Sequence, residues 1–196
     1  MPKILVIPGS LRAQSFNARL AALATKRLTL ADADVTRISL ADYPLPIYDG
    51  DLAHRSGPPQ HAYALKRLIC AHQGVLVVSP EYNASITPLI KNAIDWVSMV
   101  RERGEHEHAA YRHRVFALAG ASPGRSGAAQ ALLALRQVLA VGCRAVVLPE
   151  QVSIPNAAEA FDEMDELRDA DLGQELDAMV RSLVENARVL MDARGR

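Results

Sequence analysis

Two loop motifs follow two apolar strands, and both are made of residue types suited to holding a ligand. The first is Gly9-Ser10-Leu11-Arg12-Ala13-Gln14-Ser15-Phe16-Asn17, directly after the run 3–8. A helix starting near Ser15 or Phe16 leaves its first N–H groups unpaired, and its dipole favours an anion there. Ser10 and Ser15 add hydroxyl donors. Arg12 adds a charged donor able to bind two oxygens at once, and Asn17, one turn into the helix, adds an amide. That set suits a phosphate. The same residues also read as a helix cap at Ser15 and a solvated surface cation at Arg12. The chain has neither the glycine pattern of a dinucleotide-binding turn nor a lysine-bearing nucleotide loop. A phosphate monoester therefore fits better than a pyrophosphate.

The second motif, Ser79-Pro80-Glu81-Tyr82-Asn83-Ala84-Ser85, follows the run 74–78. Thr87-Pro88 reads as the cap and first residue of the next helix. Residues 80–86 then cross the carboxyl edge of a sheet, where open α/β folds bind ligands. Backbone groups of Glu81, Tyr82 and Asn83 suit a flat polar ring, although a rigid turn with an apolar Tyr82 has the same composition. Taken together, the two loops suggest a phosphorylated flavin. A third loop, Gly120-Ala121-Ser122-Pro123-Gly124-Arg125-Ser126-Gly127, offers the Ser122 hydroxyl and glycines that permit close backbone approach. By itself it says little, since Gly and Ser are ordinary loop residues.

Positioning these loops falls to five apolar runs, near 3–8, 34–39, 74–79, 114–120 and 144–148, alternating with helical patterns. The runs are rich in Val, Ile and Leu and mostly lack polar alternation, as parallel strands covered on both faces should. Strand–helix alternation predicts a parallel sheet between two helical layers. Right-handed crossovers leave few topologies, and the order 2-1-3-4-5 is expected, a flavodoxin-like three-layer sandwich in one domain over 1–196. Leu172, Leu176, Met179, Leu183 and Leu190 mark a long last helix. The Pro- and Gly-rich stretch 42–59 reads as a long ordered loop, 101–114 as a charged loop, and 150–171 as an acidic surface excursion.

Lys plus Arg and Asp plus Glu each number 22 in 196 residues. Zero net charge argues against a nucleic-acid binder, which needs a basic face. It also argues against an electron carrier steered by strong charge. No apolar run approaches a membrane span, and Met1-Pro2-Lys3 leads straight into a strand, so a cytoplasmic protein is expected. Cys70 and Cys143 read as reduced structural thiols. His106, His108 and His113 share one charged loop without metal-ligand spacing.

The stretches GSLRAQSFN at 9–17, SPEYNASITPLIKNAIDW at 79–96 and ASPGRSGAAQALLALRQVL at 121–139 resemble the NAD(P)H-dependent FMN reductases. That flavodoxin-like group includes quinone, chromate and azo-dye reductases. The resemblance follows the element order along almost the whole chain. It implies that Ser10, Arg12, Ser15 and Asn17, with the intervening Leu11, Ala13, Gln14 and Phe16, surround an FMN phosphate. It implies that Pro80, Glu81, Tyr82 and Asn83 line the isoalloxazine, with Ser122 near its polar end. NADPH or NADH would be the reductant, and a quinone, chromate, an azo compound or free flavin the acceptor, in a ping-pong reaction. Bound cofactor carries that chemistry, so no catalytic acid or base is named. The other readings are a flavodoxin-type electron carrier and a non-catalytic FMN-binding module.

The chain departs from the family pattern where Gly127-Ala128-Ala129-Gln130 replaces a common Gly-Gly-x-Arg, and where Thr87-Pro88 replaces Pro-Gly. A homodimer or homotetramer is expected. It rests on surplus apolar positions on two helices: Ile94, Trp96, Val97, Met99 and Val100 on one, and Ala131, Leu132, Leu133, Leu135, Val138 and Leu139 on the other.

Overall fold

In the computed structural model, which describes residues 1–194, β1 (Lys3–Pro8) lies between β2 (Asp34–Arg37) and β3 (Gly74–Val78). Then come β4 (Val115–Ala121) and β5 (Val146–Ile154), giving one five-stranded sheet in the order 2-1-3-4-5 with every neighbour parallel. Side chains alternate across each strand. Ile4 and Val6 of β1 join the core beneath α1 (Phe16–Leu30) and α7 (Ala170–Arg194), whereas Leu5 and Ile7 join the opposite core. That second core is closed by α3 (Gln60–Ala71), α4 (Pro88–Met99) and α6 (Ala129–Gln137). Both faces of the sheet are thus dry, which is why the strands read as continuous apolar runs.

Helix starts follow local chemistry. Ser15 caps α1 by accepting from the Asn17 N–H at 3.2 Å. Thr87 caps α4 by accepting from Ile90 N–H at 3.3 Å, with Pro88 at the first helical position. These caps place loops 9–15 and 79–87 at the carboxyl ends of β1 and β3, as the sequence leads one to expect.

Three expectations need correction. The 42–59 stretch is more than a loop: Asp49 caps α2 (Gly50–Ser56), accepting from Asp51 and Leu52 N–H at 2.8 and 3.1 Å. Likewise 101–114 contains a turn of helix, α5 (Ala109–Arg112). Third, β5 does not stop near 148 but runs on to Ile154, so 150–154 is strand and not excursion. Pro149 interrupts the pattern, since it has no N–H for the ladder and register shifts opposite Phe116–Leu118. Arg136 donates to the carbonyls of Leu148 and Pro149 at 2.6 and 3.3 Å, satisfying the irregular backbone there.

The 42–59 stretch also changes the meaning of Trp96. This ring is fully buried, its Nε1–H donates to Pro46 O at 2.7 Å, and Tyr48 meets it edge-on at 5.0 Å. The surplus apolar surface of α4 is largely covered by the chain's own segment. Met99 and Leu133 stay exposed on α4 and α6, at 45% and 60%.

Candidate functional site

Residues 9–12 of the first loop face Tyr82 and the start of α4 across a cleft of about 440 Å³. Its walls are Gly9, Ser10, Leu11, Arg12, Tyr82, Thr87, Pro88 and Leu89. The two sequence motifs therefore meet in one place, although they lie on different strands.

Along the first loop most polar groups are left open. Ser10 Oγ accepts from Arg12 N–H at 3.3 Å and Ser15 Oγ accepts from Asn17 N–H, so both hydroxyl protons remain to be donated. The exposed Arg12 guanidinium makes no hydrogen bond or ion pair with any described residue, and the backbone N–H groups of Leu11, Ala13, Gln14 and Phe16 are also unspent among them. This is a donor-only set at a helix N-terminus, and a phosphate monoester fits it. Phe16 packs its ring against the core, while Ala13 and Gln14 stay exposed.

Asn17 has a structural job that the sequence did not show. It is buried, its Nδ2 donates to Ala121 O at 2.8 Å, and its Oδ1 accepts from Ala121 N–H at 2.9 Å. The side chain is a tie between α1 and the end of β4, made with one of the two N–H donors of its amide. A separation of 104 residues hides that partnership from the sequence.

The second loop is closed on itself. Tyr82 and Ser85 exchange N–H to O bonds of 3.0 Å each, across Asn83 and Ala84 at φ 51° and 58°. That is a tight turn with two left-handed residues. The Tyr82 N–H and C=O are consumed in it, so Tyr82 faces the cleft with its half-exposed ring and not with its backbone. Thr87 Oγ1, buried, donates to Gly9 O at 3.3 Å, tying this loop to the first.

Glu81 is the feature that the sequence left unexplained. Its carboxylate accepts from Ser126 Oγ at 3.0 Å, from Gln130 N–H at 3.0 Å and from Ala131 N–H at 3.2 Å. The Gln130 amide, with its nitrogen assigned toward the acid, donates at 2.9 Å. Gln130, the departure from the family pattern, thus contacts the acid of the second loop. Close approach is possible because residue 120 is glycine: a Cβ there would lie 2.5 Å from Ser79 O and 2.8 Å from Ala128 Cβ. Ser122 accepts from Gly124 N–H at 3.2 Å and keeps its proton free at the start of the third loop.

Neither cysteine serves this cleft. Both are free, and burial pushes the Cys143 thiol up to about 11. Among the described residues no helix is long and apolar enough to cross a membrane.

A 2-hydroxy-1,4-benzoquinone reductase of a Burkholderia species is 40% identical over 139 residues, covering 70% of each chain. An NAD(P)H-dependent FMN reductase of Pseudomonas aeruginosa is 34% identical over 168 residues, 85% of each. The flavoenzyme FerB of Paracoccus denitrificans, an NAD(P)H:(acceptor) oxidoreductase, superposes with a TM-score of 0.78 at 30% identity, covering 96% of this chain and 98% of its own. The family model of NADPH-dependent FMN reductases matches residues 2–159, and with the open donor loop and the closed ring loop sharing one cleft, the chain belongs to that family: it is a flavodoxin-like oxidoreductase of FMN and NAD(P)H.

Proposed function

We propose that the protein reduces small flat acceptors, quinones foremost, by a ping-pong reaction at one FMN site. The observation that carries this is the cleft itself, with unpaired donors on one wall and a rigid turn on the other. Ser10, Arg12, Ser15 and the free N–H groups of 11–16 would hold the phosphate. Residues 80–83 would lie along the ring, and Ser122 would donate toward its polar end. Bound FMN supplies hydride acceptance from the nicotinamide and electron delivery to the second substrate. The chain supplies binding and orientation, and no side chain is assigned as acid or base. One open cleft serves nucleotide and acceptor in turn, which favours chromate, azo compounds and free flavin as further acceptors.

Initial rates at several fixed acceptor concentrations should give parallel double-reciprocal lines. Intersecting lines would mean two sites. A one-electron carrier is disfavoured by the zero net charge, and steady NAD(P)H consumption with a small quinone separates the two. The protein is proposed to act in the cytoplasm as a homodimer or homotetramer. On and beside α4 and α6, exposed Leu133, Met99 and Val141, rather than buried Trp96, are open to association. Light scattering at a mass near 21.3 kDa, unchanged by FMN, would refute the oligomer.

A further inference from the structure

We propose that Glu81 is a positioning residue, whose carboxylate caps helix α6 from across the cleft edge and locks the ring loop to the third loop. The inference rests on the family reading of the site and adds a role for a residue that no substrate needs to touch.

Helix α6 cannot cap itself. Its N-cap residue is Ala128, held at φ 74° and without an accepting side chain. The first N–H groups of such a helix are orphans unless another part of the chain satisfies them. Glu81 does so from 49 and 50 residues away, accepting from Gln130 and Ala131 N–H. A carboxylate is well matched to that helix end, since the charge strengthens each bond and opposes the dipole. Ser126 Oγ and the Gln130 amide complete the shell.

Two consequences follow for the site. With four donors around its two oxygens, Glu81 is already engaged by the fold. More important is what the anchorage fixes. The ring loop is tied at one end by Glu81 to α6 and at the other by Thr87 to Gly9. Between these ties runs the turn 82–85, closed by its own bonds. Release of the Glu81 end frees the part of the wall that meets the ring. The phosphate donors belong to loop 9–17, which Asn17 holds to the end of β4 without any bond to Glu81. Loss of Glu81 is therefore a defect in ring binding that leaves phosphate recognition intact.

The test uses the apoprotein and two ligands, FMN and riboflavin, titrated by quenching of flavin fluorescence. Wild type binding FMN more tightly than riboflavin establishes the site; if it binds neither, or both equally, the family reading of the phosphate loop fails first. Given that preference, Glu81→Ala should weaken both flavins by the same factor, about tenfold or more, as expected for a lost charged cap. The FMN-to-riboflavin ratio should stay as in wild type, and the visible band of the bound flavin should move toward that of free flavin. Glu81→Gln, which keeps one accepting oxygen, should recover part of the loss. Ser126→Ala removes one donor without touching the helix; it should give a smaller loss in the same ratio, and it stands in should Glu81→Ala fail to fold. Affinities within twofold of wild type for the variants, or a loss confined to FMN, would overturn the proposal.

Discussion

The loops 10–16 and 81–87 meet at one cleft, lined by Ser10, Leu11, Arg12, Tyr82 and Thr87, and treat their charged side chains in opposite ways. In the first stretch the Arg12 guanidinium has no partner among the described residues, two serine hydroxyls keep their protons, and four backbone N–H groups are unspent. In the second, Glu81 is engaged by Ser126 and helix α6, Tyr82 and Ser85 satisfy each other, and Thr87 both accepts and donates, while the N–H groups of Glu81, Asn83, Ala84, Ile86 and Thr87 are unspent among the described residues. Unpaired donors can persist only where water or a ligand reaches them. On the proposed function the first loop is the binding surface, and the bonds of Glu81 and Thr87 help to fix its distance from the ring wall. Asn17 belongs to the frame although it sits in the open loop's motif.

The largest effect should come from breaking the frame at Asn17. Ala121 is only 1% exposed, and Asn17→Ala would leave both its N–H and its C=O without partners. Each buried group left unmade costs about 1–3 kcal/mol, so urea unfolding of the apoprotein should show a loss of about 2–4 kcal/mol. A loss under about 0.5 kcal/mol, the size of an ordinary surface substitution, would mean that the tie carries nothing.

Arg12→Ala should do the reverse. Removing an exposed, unpaired side chain should leave apoprotein stability within about 0.5 kcal/mol. FMN binding should weaken by about 1.5–3 kcal/mol, the scale of a hydrogen bond to a charged group. Riboflavin binding should not change. If the variant lost stability and kept its FMN affinity, Arg12 would belong to the frame and the comparison would collapse.

How far the sequence reveals this division depends on the range of each interaction. The strands, their order and the helix starts were legible because their causes are local: Val, Leu and Ile runs, a serine at the α1 cap, Thr87-Pro88 at α4. The second half of β5 was hidden because a proline reads as a strand end, and only the irregular register opposite Phe116–Leu118 accommodates it. Trp96 was misread for a related reason. Surplus apolar positions on a helix show that something covers them, but not whether the cover is a partner or the chain's own residues 46–53. The ties through Asn17 and Glu81 left no local signal at all. They join residues 104 and 45–50 positions apart, and each residue type also suits direct ligand binding.

The smallest effect sharpens the comparison along a single helix. Arg12 precedes α1 and is unpaired; Arg27, in its last turn, is paired twice. Its guanidinium donates to Asp177 at 2.8 and 3.0 Å and to Glu166 at 2.6 Å, while Lys26 reaches the other Glu166 oxygen at 2.6 Å. Hydrogen bonds from Lys26, then Arg27, hold the Glu166 carboxyl below its ordinary range. A group whose folded pKa is depressed stabilises the fold above its unfolded pKa and loses that contribution as pH falls through the folded one. Glu166→Gln should therefore cost about 0.5–1 kcal/mol near neutral pH, as partly exposed pairs do. The gap to wild type should close as the medium is made acid enough to protonate Glu166, and it should shrink in high salt. Urea midpoints of both proteins across that range would show it. A gap independent of pH and salt would mean that Glu166 acts through packing, and that the cations of α1 do not divide into one spent on the fold and one kept for a ligand. FMN affinity supplies the other half of the check: it should be the same in Glu166→Gln as in wild type, because no atom of that cluster lines the cleft.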